Sequence, residues 1–333
     1  MDVVLSFLLG YILIVASIAF VALLIWIPPY FLYSPAARHN MLKEYPSVSI
    51  VIPAYNEGKV IARCLRAIRI AASRYPGKVE VILALDGCTD NTEAIALSVM
   101  KGYPDFKRLV GPNTGKSRRL QEAAREANGD LLAFMDADCE IPLNGISDMV
   151  TTITANPGSA VLPWIEPRVP SKKVAILSKL FVFWYTGPLR KAQSYLGTVS
   201  LWGCGYSMAP RAMVIKVLDH VRAWPLWTNN LDDIAMAYGF MDLGYKVILQ
   251  ESVVVHQQQA ANASAYFQQR NRHASNRHLK LRKLFDIFPK RRWFVVGMLV
   301  IEALSLITLK PFVWVMAKLL KAGREWRPAT SRW

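Results

Sequence analysis

The sequence predicts a mostly parallel α/β sheet with helices on both faces, flanked by transmembrane or interfacial helices at both ends. Between residues 47 and 164, short β-branched runs alternate with stretches at helical spacing, the pattern of a parallel sheet built from strand–helix repeats. A polar cluster follows each apolar run, and ligands of open sheets bind beyond the carboxyl ends of the strands. Val3–Ile27 contains no charged residue, and a run of that length crosses a bilayer with some tilt.

The N-terminal run reads as a retained transmembrane helix. A cleaved signal peptide needs a basic n-region and a small-residue cleavage site, whereas here only Asp2 precedes the run and no A-x-A follows. Trp26, Tyr30 and Tyr33 fit an interfacial aromatic belt, and Arg38 and Lys43 place everything after residue 30 in the cytosol by the positive-inside rule. The protein is therefore expected to be integral to the cytoplasmic membrane.

The central elements follow in order. SVSIVIP (47–53) reads as a first strand and VIARCLRAIRIAAS (60–73) as the helix after it. VEVILAL (79–85) is a second strand and NTEAIALSVM (91–100) a second helix. KRLV (107–110) is a short third strand, and GKSRRLQEAAREA (115–127) is a helix stopped by Asn128-Gly129. LLAFM (131–135) is a fourth strand.

Residues 279–293, LKLRKLFDIFPKRRW, carry apolar Leu281, Leu284, Phe285 and Phe288 among basic residues. That spacing suits an amphipathic helix lying among anionic headgroups. Phe294–Leu309 is apolar except for Glu302, Lys310 and Pro311 follow, and Phe312–Leu320 is a second short run. One kinked span would carry two internal charges and place the basic tail outside; a re-entrant hairpin would keep the tail inside but on short arms.

Forty basic against twenty-four acidic residues give a net charge of +16, which points to a polyanionic partner. With 53% apolar residues and apolar termini, lipid headgroups and phosphorylated small molecules are favoured; no nucleic-acid motif is present. Cys64, Cys88, Cys139 and Cys204 form no C-x-x-C pair, so neither a disulfide framework nor a zinc site is expected, and the bulk of the chain belongs in a reducing compartment.

Asp136-Ala137-Asp138 ends the fourth apolar strand. On a continuing strand, residues two apart point the same way, so the carboxylates would face one site. Two close carboxylates repel unless a cation neutralises them, and a hard divalent cation with oxygen ligands does so. The alternative is that the pair caps the following turn. A glycosidase pair needs carboxylates at least about 5 Å apart with a sugar between them, which one strand end does not supply.

Five segments occur in order: SIVIPAYNEGKVI, ILALDGCTDNT, GKSRRLQEAAREANGDLLAFMDADCEI, WGCGYSMAPRA and NLDDIAMAYGFMDLGYKVILQ. Together they resemble the family 2 glycosyltransferases, whose catalytic domain has the Rossmann-like GT-A fold, and the resemblance spans about residues 47–273. It implies that Pro53, Tyr55, Glu57 and Asp86 hold the nucleoside of a nucleotide-diphosphate sugar. It places Lys116 near the diphosphate, and Asp136 and Asp138 at a divalent metal, Mg or Mn, with Asp138 the direct ligand. Lys116 opens a helix, where anions bind readily, although a solvated lysine is also ordinary there.

Asp232 and Asp233 precede a helical pattern and would serve as helix caps in any protein. The resemblance makes Asp233 the general base and Asp232 its partner. It sets Gly203 and Gly205 beside the acceptor, where glycine permits close backbone approach, and a simple bulge is the alternative. Gln269 and Arg272 match part of a Q-x-x-R-W pattern that helps hold acceptor and diphosphate, but His273 stands where tryptophan is expected. That departure counts against long-polymer synthesis. The apolar 174–189 segment is either a membrane-facing helix by the acceptor entrance or core.

The expected organisation is a transmembrane helix (1–30), a linker (31–46), a cytosolic catalytic domain (47–278), an interface helix (279–293), a membrane segment (294–320) and a basic tail (321–333). The expected activity is inverting transfer of a hexose from a UDP-sugar or GDP-mannose to a membrane lipid or lipid-linked acceptor. A short-chain polysaccharide synthase and an inactive nucleotide-sugar-binding protein are the alternatives.

Overall fold

The computed structural model describes residues 44–168, 190–191, 194, 205–224, 227 and 232–258. The strands among them are β1 (Val48–Ala54), β2 (Val79–Asp86), β3 (Phe106–Gly111), β4 (Leu131–Met135), β5 (Cys139–Glu140), β6 (Ser159–Arg168), β7 (Tyr206–Pro210) and β8 (Lys246–Gln258). The helices are α1 (Ile61–Arg74), α2 (Thr92–Val99), α3 (Lys116–Glu126), α4 (Gly145–Ala155), α5 (Arg211–Val221) and α6 (Asp232–Asp242).

The strands form one sheet in the order β3-β2-β1-β4-β7-β6-β8-β5. β3, β2, β1 and β4 run parallel, and β7 is antiparallel to both β4 and β6. β2 and β4 are buried at every position and β1 at all but Pro53, because a central parallel strand is covered on both faces and needs a continuous apolar run. β3 forms the edge and exposes Lys107 and Arg108, charges that blunt edge-to-edge pairing. β6 and β8 pair in parallel, with the register jumping from Pro163–Gln250 to Trp164–Val254.

α1 buries Ile61, Cys64, Leu65, Ile68 and Ala71, a stripe with the spacing of one helix face. α3 buries Leu120, Ala123 and Ala124, and the chain then turns at Asn128-Gly129. A Cβ on Gly129 would lie 2.5 Å from the Ser49 amide nitrogen, so this close approach admits only glycine.

At the amino ends of β1 and β2, the buried Glu80 carboxylate accepts hydrogen bonds from Ser49 Oγ (2.6 Å), the Asn128 amide (2.9 Å) and Lys107 Nζ (2.5 Å). Burial opposes the charge, but Lys107, Ser49 and Asn128 outweigh it and hold the Glu80 pKa down at about 2. Its stabilisation is therefore complete above the unfolded glutamate value near 4.3 and is lost as pH falls toward about 2. Glu80→Ala, which leaves the Ser49 and Asn128 donors unpaired, should cost about 2–4 kcal/mol at neutral pH by denaturant titration. The cost should shrink as the titration is repeated at lower pH.

Among the described residues no helix is long and apolar enough to cross a membrane. The predicted N-terminal span, the 174–189 segment and everything from residue 279 onward lie outside them.

Candidate active site

The polar clusters predicted at strand ends meet at the carboxyl edge of the parallel half of the sheet. The loop after β1 is laced to the loop after β2. Asn56 has φ +54°, a left-handed conformation that asparagine tolerates. Its Oδ1 accepts the Thr89 N–H at 2.8 Å and the Asp90 N–H at 3.3 Å. Asp90 in turn accepts the Gly58 N–H (3.0 Å), and Thr92 Oγ1 accepts the Glu57 N–H (2.8 Å). These bonds fix the loop around Tyr55, which remains 52% exposed and can stack on a planar ligand.

Asp86 ends β2 and is 5% exposed. Its carboxylate accepts the Thr114 N–H (2.8 Å) and Gly115 N–H (3.0 Å), and the buried Arg119 guanidinium lies 3.6 Å away. Asp86 thus shapes the loop that delivers Lys116. Gly87, at φ +71°, faces the same loop, and a Cβ there would lie 2.7 Å from the Asn113 nitrogen.

Lys116 Nζ donates to Asp136 Oδ1 at 2.8 Å and lies 3.5 Å from Asp232 Oδ2. Burial works against the ammonium, but Asp136, Asp232 and Asp233 outweigh it and hold its pKa well above the usual lysine value. Pro53, Lys116, Phe134, Asp136, Asp232 and Met236 line one small cavity beneath this contact. α6 begins at Asp232 and Asp233, where carboxylates meet the positive end of the helix dipole. Asp233 Oδ1 accepts the Ile234 N–H at 2.8 Å.

One expectation about the acidic pair is corrected. β4 stops at Met135, and Asp136–Cys139 forms a turn in which the Asp136 carbonyl accepts the Cys139 N–H at 3.1 Å. The pair is held together by a turn and not by strand alternation. Burial and the Asp136 charge raise the Asp138 pKa to about 6. Burial with Asp138, Asp136 and Asp90 raises Glu57 to about 7. Those shifts mark negative charge that Lys116 does not fully offset. The donor set is all carboxylate oxygen and fits a hard divalent cation. Among the described residues no group of three or more His, Cys, Asp or Glu is placed to hold a metal, so a cation at Asp136 and Asp138 needs further ligands from elsewhere.

Gly205 has φ +83°, and its carbonyl accepts the Asp136 N–H at 3.0 Å. A Cβ there would lie 2.7 Å from Cys139 Sγ. Gly205 therefore backs the Asp136–Cys139 turn. Gly205→Ala combines a strained backbone with this clash and should destabilise the fold by about 1–3 kcal/mol, read as a lowered melting temperature. Gly203, Gln269, Arg272 and His273 lie outside the described residues.

Arg119 and Gln257 take part in the site without having been singled out from the sequence, whereas Asn56 and Asp90 stand in the polar clusters expected at the strand ends. Asn56 and Asp90 carried a signal, since asparagine in a turn and aspartate two residues before a helix are common caps. A buried arginine such as Arg119 carries none.

Residues 49–218 match the family model described as glycosyl transferase family 2. A poly-β-1,6-N-acetyl-D-glucosamine synthase of Staphylococcus aureus is 22% identical over 306 residues, covering 88% of this chain and 70% of that protein. A β-monoglucosyldiacylglycerol synthase of Synechocystis is 27% identical over 244 residues, 69% of this chain and 47% of that one. A mannosyltransferase of Pyrobaculum calidifontis, solved with GDP-mannose and Mn2+, superposes with a TM-score of 0.60 at 20% identity, covering 95% of this chain and 92% of that one. That likeness gives the mixed sheet with flanking helices the GT-A form. The family model spans more than half of the 333 residues, and the chain belongs to glycosyl transferase family 2.

Proposed function

We propose that the protein is a membrane-anchored, metal-dependent inverting hexosyltransferase. It moves a sugar from a UDP- or GDP-linked donor to a membrane lipid or lipid-linked acceptor at the cytosolic face. The observation that carries this reading is the Lys116 bridge, 2.8 Å from Asp136 and 3.5 Å from Asp232. It joins the carboxylate pair suited to a cation with the acidic pair that opens α6, which supports a leaving group and a base sharing one site.

In this reading Tyr55 stacks on the base, and Pro53, Glu57 and Asp86 complete the nucleoside pocket, Asp86 through the loop it holds. Asp233 takes the proton from the acceptor hydroxyl as that oxygen bonds to the anomeric carbon, and Asp232 fixes its surroundings. The bond from the anomeric carbon to the diphosphate oxygen breaks on the opposite side, so the configuration inverts. Lys116 donates to the departing diphosphate. A divalent cation held by Asp138 and Asp136 would neutralise developing charge on that diphosphate.

Lipid is favoured as acceptor by the uncharged Val3–Ile27 run and the basic amphipathic 279–293 stretch, and the monoglucosyldiacylglycerol synthase relative supports it. The polysaccharide synthase relative favours a short-chain polymer product as the second reading, against which His273 replaces an expected tryptophan. An inactive sensor has no need of both Asp138 and Asp233.

The test is nucleoside diphosphate release by the purified, lipid-reconstituted protein, screened over UDP- and GDP-sugars with Mg2+ or Mn2+. Release from one donor that requires lipid extract and is abolished in Asp138→Asn and Asp233→Asn is the expected result. Tight donor binding without release from any donor would overturn the enzyme reading.

A further inference from the structure

Lys116 offsets the charge of Asp136, but Asp138 is approached differently. Its Oδ1 accepts the Cys139 S–H at 3.3 Å and the Gln257 Nε2–H at 3.4 Å. Its main-chain carbonyl accepts the Gln258 N–H at 3.1 Å. Both side-chain donors are neutral and converge on one oxygen. Among the described residues, Oδ2 accepts no hydrogen bond.

The topology explains how Gln257 reaches the turn. β5 and β8 pair antiparallel with Cys139 opposite Gln257, so the end of β8 lies alongside the Asp136–Cys139 turn. Arg63 on α1 donates to Gln258 Oε1 and sits 3.7 Å from Glu140 Oε1, tying the last residue of β8 to the strand that follows the turn. Gly205 closes the other side, its missing Cβ leaving room for Cys139 Sγ, and the Gln257 amide carbon lies 3.8 Å from where that Cβ would stand.

We propose that Gln257 is a positioning residue, which with Cys139 selects one orientation of the Asp138 carboxylate and leaves its second oxygen free to ligate a divalent cation. A neutral amide orients a carboxylate without cancelling its charge. A lysine in its place would cancel that charge and compete with the cation. Hydrogen-bonding partners of metal-ligating carboxylates set metal affinity in this way. The inference rests on the reading of Asp138 as a metal ligand.

The test uses the full chain in detergent or nanodiscs, with Mn2+ binding followed by the electron paramagnetic resonance of free Mn2+ in the presence of UDP or GDP. Gln257→Met keeps the side-chain length and removes the donor; Gln257→Leu removes it with a different shape. Both should weaken Mn2+ binding about tenfold, while the metal-free melting temperature moves by no more than about 3 °C. Added to Asp138→Ala, either substitution should cause less than a twofold further loss, because residues acting through one another are not additive. Wild-type affinity in Gln257→Met, a full tenfold loss on top of Asp138→Ala, or a loss that merely tracks melting would overturn the proposal. Failure of the wild type to bind Mn2+ with UDP and with GDP would instead sink the metal reading of the site, and this inference with it.

Discussion

Asp233→Asn is expected to lower turnover by about 10²–10⁴-fold, the contribution of a well-placed general base, with donor affinity unchanged. The substitution keeps an oxygen able to accept the Ile234 N–H, which Asp233 Oδ1 accepts at 2.8 Å, so the start of α6 should be preserved. It removes the group that would take the acceptor proton. Nucleoside diphosphate release and donor binding, measured on the same preparation, separate the two effects. Asp232→Asn should cost less, because Asp232 faces Lys116 and is not the proposed base. A fall in donor affinity equal to the fall in turnover would show that the acidic pair belongs to the donor pocket.

Lys116→Met is the second large effect expected. It removes the cation between Asp136 and Asp232 and the donor assigned to the leaving diphosphate. Loss of one such preorganised donor costs about 10²–10³ in rate. The same change leaves like charges facing each other around Asp136, Asp138, Asp232 and Asp233, so the apo protein should melt lower than wild type. The sign of the pH effect follows from the raised Lys116 pKa. A raised basic group contributes its stability fully below its unfolded value, about 10.4, and loses it only above that. The melting deficit of Lys116→Met should therefore be present throughout the neutral range and fade in alkali. Saturating Mn2+ with nucleoside diphosphate should restore part of the melting temperature and little of the rate.

The parallel half of the fold was legible because its determinants are local. LLAFM is a continuous apolar run, and SVSIVIP and VEVILAL are apolar runs broken only by serines and Glu80, the composition of a strand covered on both faces; β1, β2 and β4 fall within a residue of them. The α1 and α3 helices announced themselves by apolar spacing, and Asn128-Gly129 marked the end of α3. The second half was less readable from periodicity. β6 and β8 meet through a register jump, and β5 has two residues, too few to leave a pattern. Beyond residue 164 the motifs were read through a family resemblance.

Within the site, the residue types were legible and their roles were not. A sequence can place Lys116 at a helix start, but its contact with Asp232 joins residues 116 positions apart and leaves no local pattern. Asp86 reads as a ligand-facing acid, yet both its oxygens accept loop amides from Thr114 and Gly115, a link that only the β2–β3 neighbourhood creates. The turn at Asp136–Cys139 was mistaken for strand because an apolar run before D-x-D gives no sign of where pairing stops. Gln257 lies 119 positions from Asp138 and has no local pattern that marks it.

Transfer of a sugar to a lipid acceptor is tested most directly by the mass of the product. The reconstituted protein would be incubated with its donor and membrane lipid, extracted into organic solvent, and analysed by mass spectrometry beside Asp233→Asn. The expected product is an organic-soluble lipid heavier by one hexose and absent from the variant. A ladder of water-soluble glycans with no sugar on lipid would contradict it.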